Sequence, residues 1–283
     1  MHLPKIASST AVTGLTGSMS AAARAAEPVD GGIGFQEAVT PVMEKLTWFH
    51  NWMLMPIITG IVLLVLALII YIMVRFNEKA NPQPSKTSHN TLIEVIWTVI
   101  PVIILLVMIV PSMRLLYFQD ALPETEMTIK ATGNTWNWEY SYIDHENIDS
   151  FVSSMLEERT DAEAEGKPYL LGTDFPLVVP SGTRVKVLVT SNNNLHSFAV
   201  PAFGIKIDAI PGRINETWFE VFEGREGTYY GQCSELCGVR HAYMPIEIRV
   251  VTRDAFADWV ANDGAFTTTV ATNTSGGQTA AQQ

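Results

Sequence analysis

Cys233 and Cys237 are the only cysteines in this sequence, and His241 and Met244 follow them at short spacing. Thiolate, imidazole and thioether groups together form a soft ligand set. A set of this kind favours copper over hard ions such as calcium or magnesium. The stretch 231–245 therefore predicts a copper site.

Three other uses of the cysteines compete with this prediction. A disulfide between Cys233 and Cys237 would close a loop of three intervening residues, which stabilises little and strains easily. A structural zinc site usually has a second ligand pair, and the sequence has neither a C-x-x-C nor an H-x(3–5)-H pair. A mononuclear blue-copper site uses one cysteine, two histidines and a weak methionine ligand. Two cysteines are one too many for that site, so bridging two metal ions is the natural use of the second.

A second imidazole is needed to complete such a site, and His196 is the best candidate for it. Apart from His241 in the cysteine loop itself, it is the one histidine that lies in a strand-rich region. That region is expected to share a fold with the loop. A lone histidine in a half-buried strand is more often structural, but the missing imidazole favours a ligand role. The six candidates are His2, His50, His89, His145, His196 and His241.

The overall composition limits the classes of partner. The chain has 283 residues and a formal net charge of −11. Its length allows one or two domains. Its acidity argues against nucleic acid as a partner and favours a basic protein. The hydrophobic fraction of 47%, beside 17% charged residues, indicates membrane segments.

Two apolar runs, at about residues 53–74 and 92–113, are long enough to span a bilayer. The prolines inside the second run are tolerable in a membrane, because neighbouring helices satisfy the freed carbonyls. The loop between the runs carries Arg75, Lys79 and Lys86 against a single acid. The positive-inside rule therefore places this loop in the cytoplasm and the rest of the chain on the periplasmic side.

The remaining segments flank this hairpin. Residues 1–26 are similar to a secretory signal peptide, with a disordered tail as the alternative. Residues 27–120 form the N-terminal segment and the hairpin, and residues 121–262 form the periplasmic domain. An acid-rich stretch at about 144–167 is predicted to be an exposed insertion, helical over 153–165. Residues 263–283 are rich in Thr, Ala, Gly and Gln, which predicts a disordered tail.

The periplasmic domain carries short alternating runs separated by turns, as in the stretch 184–190, where Val185, Val187 and Val189 share one face. Several short strands of this kind predict an antiparallel β-sandwich. The other predicted strands cover residues 126–132, 136–142, 204–210, 216–222, 227–231 and 245–251.

Three motifs together carry a family resemblance. They are C-S-E-L-C-G-x-x-H-x-x-M-P after Y-Y-G-Q, L-H-S-F-A-V-P around His196, and K-I-D-A-I-P-G-R downstream of it. In these motifs the chain resembles subunit II of haem-copper cytochrome c oxidase, over about residues 34–259. The resemblance implies a two-helix transmembrane hairpin followed by an all-β, cupredoxin-like Greek-key sandwich.

The resemblance also implies a binuclear copper centre. Cys233 and Cys237 would bridge the two copper ions, and His196 and His241 would each bind one. Met244 would complete one coordination sphere, and the backbone carbonyl of Glu235 the other. The family further implies that the Glu235 side chain binds a magnesium ion shared with subunit I, although by itself an exposed loop acid would be the simpler interpretation.

Two further residues have roles implied by the family and simpler structural alternatives. Trp136 aligns with the tryptophan that receives electrons from cytochrome c, whereas alternate aromatics on a strand usually form core, as predicted for Trp138, Tyr140 and Tyr142. Glu94 would lie at the cytoplasmic mouth of a proton path into subunit I. Its alternative is a capping box, since residues 91–94 read T-L-I-E.

The implied function is electron transfer from cytochrome c to haem in subunit I, where oxygen reduction is coupled to proton pumping. The implied partners are oxidase subunits I and III, cytochrome c and the bilayer of the bacterial inner membrane, with the acidic insertion as a candidate source of docking charge. Two alternatives remain. A quinol oxidase subunit II has the same architecture without the copper ligands, and a relative of nitrous-oxide reductase would need a large additional catalytic domain.

Overall fold

The computed structural model describes residues 28–29 and 31–266. The predicted signal peptide, and residues 267–283 of the predicted tail, lie outside this part of the chain. The described residues form two long helices followed by two packed β-sheets and short peripheral helices. A membrane hairpin followed by a β-sandwich is thus confirmed.

The first long helix begins at Pro41 and ends at Arg75, and so is longer than the predicted span. It consists of α1 (Pro41–Phe49), a π-helical turn (His50–Leu54) and α2 (Met55–Arg75). The side-chain oxygen of Thr40 accepts the backbone N–H of Met43 and so caps its N-terminus.

The second long helix, α3, covers Thr91–Asp120 and contains both prolines. No side chain of α2 or α3 is buried within the described residues. Both helices are long and apolar enough to cross a membrane. Their uncovered apolar surface is suited to lipid or to another membrane subunit.

The ten strands form two five-stranded sheets, in the orders β3-β2-β1-β5-β8 and β4-β10-β9-β6-β7. The strands are β1 (Met127–Asn134), β2 (Asn137–Tyr142), β3 (Phe151–Ser153), β4 (Leu177–Pro180), β5 (Arg184–Ser191), β6 (His196–Val200), β7 (Ile205–Ala209), β8 (Asn215–Glu220), β9 (Gly227–Cys233) and β10 (Pro245–Val251).

Most strand pairs of the sandwich are antiparallel, as predicted, but two are not. β1 pairs with β5 in parallel, and β4 pairs with β10 in parallel. Parallel neighbours need a long crossover connection. The segment between β2 and β4, which includes the acid-rich stretch, is part of this connection. It runs from one sheet to the other.

The core lies between the two sheets. Along β5, buried and half-buried residues alternate, as the sequence pattern predicts for a strand with one face inward. Trp138, Tyr140 and Tyr142 are buried, which confirms that they are core residues. The C-terminal helix α5 (Arg253–Ala261) adds Phe256 and Trp259 to this core.

The acid-rich insertion is more integrated than predicted. Its first part is strand β3, which pairs with β2, and its helix α4 covers only Arg159–Ala164. Ala162 and Ile148 are both buried. The insertion is mostly exposed, as predicted, but its helix is shorter than predicted and apolar residues between the acids pack inward.

The base of the hairpin is joined directly to the sandwich. Thr40 donates its hydroxyl hydrogen to the backbone oxygen of Phe203 at 2.7 Å. Gly204 adopts a left-handed conformation with φ of +71°, and a Cβ there would lie 3.0 Å from the Cα of Met43. Near the end of α3, the rings of Phe118 and Trp218 meet edge to face at 5.7 Å. The hairpin and the domain therefore share a packed junction.

Candidate metal centre

Neighbouring strands bring the cysteine loop and His196 together. β9 ends at Cys233, β10 begins at Pro245, and β6 begins at His196 beside β9. The backbone N–H of Cys233 donates to the oxygen of Met244 at 3.0 Å. The N–H of Ser234 donates to the oxygen of Ser197 at 3.1 Å. These bonds hold the loop against the start of β6.

Four of the expected ligands are linked by short contacts. The His196 Nδ1 lies 3.8 Å from the Cys233 Sγ, and the two Sγ atoms lie 3.8 Å apart. The Cys237 Sγ lies 3.6 Å from the His241 Nδ1. Both cysteines are free and buried. The disulfide alternative is not formed, since an S–S bond needs about 2.05 Å.

The backbones of the other two expected ligands adjoin Cys233. The backbone oxygen of Glu235 is 3.4 Å from the Cys233 Sγ. Met244, whose backbone oxygen accepts from the Cys233 N–H, is fully buried where the loop meets β10. Glu235 itself is half-exposed.

The orientation of His196 is fixed by its surroundings. Its Nε2 lies 3.2 Å from the Oδ1 of Asn193. Because an amide oxygen only accepts, Nε2 carries the proton and Nδ1 presents its lone pair to the sulfurs. A Cβ on Gly133 would lie 2.8 Å from the His196 ring. Only glycine therefore leaves room for the imidazole in this position.

Burial favours the neutral forms of these ligands. Burial lowers the pKa of His196, and the nearby His241 lowers it further. Burial and the neighbouring Cys233 raise the pKa of the Cys237 thiol to about 12. The imidazole is therefore ready to bind a cation, whereas a thiol must release its proton when a metal binds.

Two side chains hold the tip of the loop through one carbonyl. The oxygen of Cys237 accepts from the Nδ2 of Asn194 at 2.7 Å and from the Nε1 of Trp136 at 3.1 Å. Trp136 is half-buried, and a Cβ on Gly238 would lie 3.2 Å from its ring. Sequence reasoning missed the roles of Asn193 and Asn194. The one available signal was a polar run placed immediately before the candidate histidine.

The donors form a compact set that suits soft metal ions. The ligand atoms of His196, Cys233 and Cys237 all lie within 4.8 Å of one another. His241 adds a second imidazole, 3.6 Å from the Cys237 sulfur. Each sulfur therefore has its own imidazole neighbour. Thiol and imidazole groups placed in this way can hold copper or another soft metal.

Glu94 lies apart from this cluster, near the start of α3. The helix is capped by Asn90, whose side-chain oxygen accepts the N–H groups of Leu92 and Ile93. Thr91 is already the first helical residue, so the predicted capping box is not formed. The 30 residues of α3 correspond to about 45 Å of helix. Glu94 is thus near the opposite end of this helix from the sandwich.

Two family profiles match the chain. The profile described as cytochrome c oxidase subunit II, periplasmic domain, matches residues 127–251. The profile described as cytochrome c oxidase subunit II, transmembrane domain, matches residues 28–115. The sandwich and the hairpin therefore match adjacent parts of one family.

Individual relatives are also similar. The probable cytochrome c oxidase subunit 2 of Rickettsia felis is 48% identical over 238 residues, which cover 84% of this chain and 74% of the relative. Cytochrome c oxidase subunit 2 of Cereibacter sphaeroides is 40% identical over 273 residues, covering 88% of each chain. The crystal structure of the periplasmic domain of subunit II of the Bradyrhizobium japonicum oxidase is 48% identical, covers 50% of this chain and 96% of that chain, and has a TM-score of 0.45.

Proposed function

Because this chain belongs to the cytochrome c oxidase subunit II family, we propose that it is the subunit through which electrons enter the oxidase. It accepts electrons from cytochrome c at a binuclear copper centre and passes them to haem in subunit I. Oxygen reduction and proton pumping take place on that partner subunit. The observation that carries this proposal is the cluster of two thiols, each of which has an imidazole beside it.

Six groups of this chain would hold the copper. Copper held by these groups would supply one-electron exchange. The protein contributes rigidity, because the loop is bonded to β6 and β10 and the ligand side chains are mostly buried. The groups are the side chains of His196, Cys233, Cys237, His241 and Met244 and the carbonyl of Glu235.

Trp136 is the proposed point of electron entrance. Its indole N–H bonds directly to the backbone of the ligand Cys237, and part of the ring remains accessible. An electron arriving at the ring therefore has a short hydrogen-bonded route to the metal ligands.

The loop surface next to the copper ligands also suits contact with subunit I. Leu236 is 77% exposed and Val239 is 87% exposed, so apolar side chains of this loop are free to contact a partner. The carboxylate of Glu235, in the same loop, would bind magnesium at the boundary with subunit I. Magnesium accepts few protein carboxylates and retains waters, so it suits a site shared between subunits. Subunit III is the other proposed membrane partner.

We place the chain in the inner membrane of a bacterium, with the sandwich in the periplasm. Arg75, Lys79 and Lys86 lie at or between the inner ends of α2 and α3, and the positive-inside rule puts them in the cytoplasm. Both the N-terminal segment and the sandwich are then on the outer side. This orientation brings the copper loop to the side on which cytochrome c is found.

Glu94 is proposed to admit protons to subunit I from the cytoplasmic side, and the absence of a capping box leaves its carboxylate available. Glu94→Ala should slow steady-state turnover severalfold, because an acid at the membrane edge is a costly group normally kept for function. Reduction of the copper by cytochrome c in a single turnover should not change. The matched control is Glu78→Ala, in the loop that precedes α3 on the same side of the membrane. Loss of the assembled complex, rather than of turnover, would contradict the proposal.

The alternatives are less well supported. A quinol oxidase subunit has no use for a copper centre, whereas this chain brings two cysteines and two histidines together. A relative of nitrous-oxide reductase would need a large catalytic domain beside the copper domain.

Copper analysis and EPR of the purified full-length chain test the proposed function. We expect two copper ions per chain and a hyperfine pattern from one electron shared over two copper nuclei. A one-copper spectrum, or zinc held in preference to copper, would reject the proposal.

A further inference from the structure

The acid-rich insertion contacts the metal-binding loop at Arg240 and the strand that follows the loop at Glu247. We infer that the insertion is a positioning element for the loop, with Glu157 acting through Arg240 as the key contact. The inference rests on the proposed metal site, but it concerns residues with no place in the ligand set.

The first contact is made near His241. The Arg240 Nη2 lies 2.5 Å from the Glu157 Oε1. The backbone oxygen of Arg240 accepts from the N–H of Tyr243 at 2.8 Å, in the short helical turn that includes His241. The side chain of Arg240 therefore contacts the insertion, and its backbone belongs to the turn that presents the His241 imidazole. Arg240 joins the two.

The second contact is made on the other side of the loop, three residues after Met244. Glu247 on β10 is only 2% exposed. Its Oε2 accepts from the backbone N–H of Thr173 at 2.6 Å and lies 3.5 Å from the Lys167 Nζ. Burial raises the pKa of Glu247, and its contacts with Thr173 and Lys167 oppose that rise. The end of the insertion is thus fastened to the strand that begins just beyond the loop.

The insertion is itself braced, so Glu157 has a firm base. Ser153 pairs with Trp138 in the β2–β3 ladder, and Met155 forms a bridge with Thr173. The N–H of Ser154 donates to the Oδ1 of Asp174 at 2.7 Å. The segment that precedes Glu157 is therefore tied to the sandwich.

Several of the acids in this insertion are used inside the chain. Glu157 pairs with Arg240, Glu163 with Arg159, and Glu165 with Lys167. The insertion is consequently a weaker source of docking charge than its composition suggests. Of these pairs, Glu157 with Arg240 is the one that reaches the metal-binding loop.

We call the Glu157–Arg240 ion pair the tether. It is located where the metal centre is least enclosed. His196 is fully buried, whereas His241 is only half-buried and is followed by the exposed residues Ala242 and Tyr243. An exposed ion pair contributes little to overall stability. Loss of the Glu157–Arg240 pair should therefore make the loop open more often near His241, with little change in the stability of the domain.

The test compares Glu157→Gln with Glu158→Gln in the full-length chain. Both substitutions remove one negative charge at adjacent positions, but the described residues give Glu158 no side-chain ion pair or hydrogen bond. Two rates are measured: reaction of the two reduced thiols with a thiol reagent in the metal-free chain, and loss of copper from the loaded chain to a chelator.

Glu157→Gln should increase both rates about two- to fivefold, the range expected for an exposed ion pair, and Glu158→Gln should leave them at the wild-type values. Arg240→Gln should match Glu157→Gln, and the double substitution should add nothing. Exchanging the charges, with Glu157→Arg and Arg240→Glu together, should restore protection of the thiols.

Equal rates for Glu157→Gln and Glu158→Gln would overturn the inference. This failure is distinguishable from failure of the proposed function. If the chain did not hold paired copper, the EPR result would show it, whereas thiol protection in the metal-free chain would still report on the tether.

Discussion

Replacing Trp136 with phenylalanine should slow the oxidation of cytochrome c about a hundredfold, which corresponds to about 2.7 kcal/mol of barrier. Phenylalanine keeps an aromatic ring against Gly238 but removes the N–H that bonds to the Cys237 oxygen. That oxygen retains its bond from Asn194 at 2.7 Å. The loop should therefore keep its shape while the route from the ring to the ligand is lost.

The measurement is rapid mixing of reduced cytochrome c with the assembled oxidase, together with EPR of the copper centre. Trp218→Phe is the matched control, because the indole N–H of Trp218 is buried and has no partner among the described residues. We expect the control to react at the wild-type rate and both variants to keep the wild-type EPR spectrum. Wild-type kinetics for Trp136→Phe would show that electrons enter elsewhere.

Gly231→Ala should destabilise the sandwich by about 3 kcal/mol or more, as expected for overpacking against an immovable group. A Cβ on Gly231 would lie 2.2 Å from the backbone oxygen of Ala199. Ala199 belongs to the short ladder between β6 and β9. This ladder also sets His196 beside Cys233, so forcing the strands apart should impair metal binding as well as folding.

Chemical unfolding of the full-length protein in detergent measures this effect, followed by copper content at equal protein concentration. Gly34→Ala is the control, because nothing lies within 4 Å of a Cβ at that position. If the two variants unfolded at the same denaturant concentration, the result would contradict the close approach of β6 and β9 at Gly231.

The local parts of the metal centre could be predicted from sequence because its soft ligands are concentrated in one loop. Cys233, Cys237, His241 and Met244 lie within twelve consecutive residues, so a tight loop brings them together. His196 could be found only as the remaining plausible imidazole. Its distance of 3.8 Å from Cys233 depends on the pairing of β6 with β9, which no local pattern reveals.

Other features could not be predicted, for identifiable physical reasons. Parallel and antiparallel strands share the same two-residue alternation of side chains. The sequence pattern therefore could not predict that β1 and β5 pair in parallel. Asn and Thr are both good helix caps, and a shift of one residue to Asn90 removed the expected capping box. The acids of the insertion suggested solvent exposure because their partners, such as Arg240 and Lys167, are distant in sequence.

The junction between hairpin and sandwich would also set distances for the proposed electron transfer. Thr40 bonds to Phe203, and Gly204 packs directly on the backbone of Met43, so the domain is held against the base of the hairpin. If the metal centre relays electrons as proposed, this contact fixes its height above the membrane, and the donor would have to come to the domain. The small size of one glycine at this junction would then help to determine the distance over which each electron is transferred.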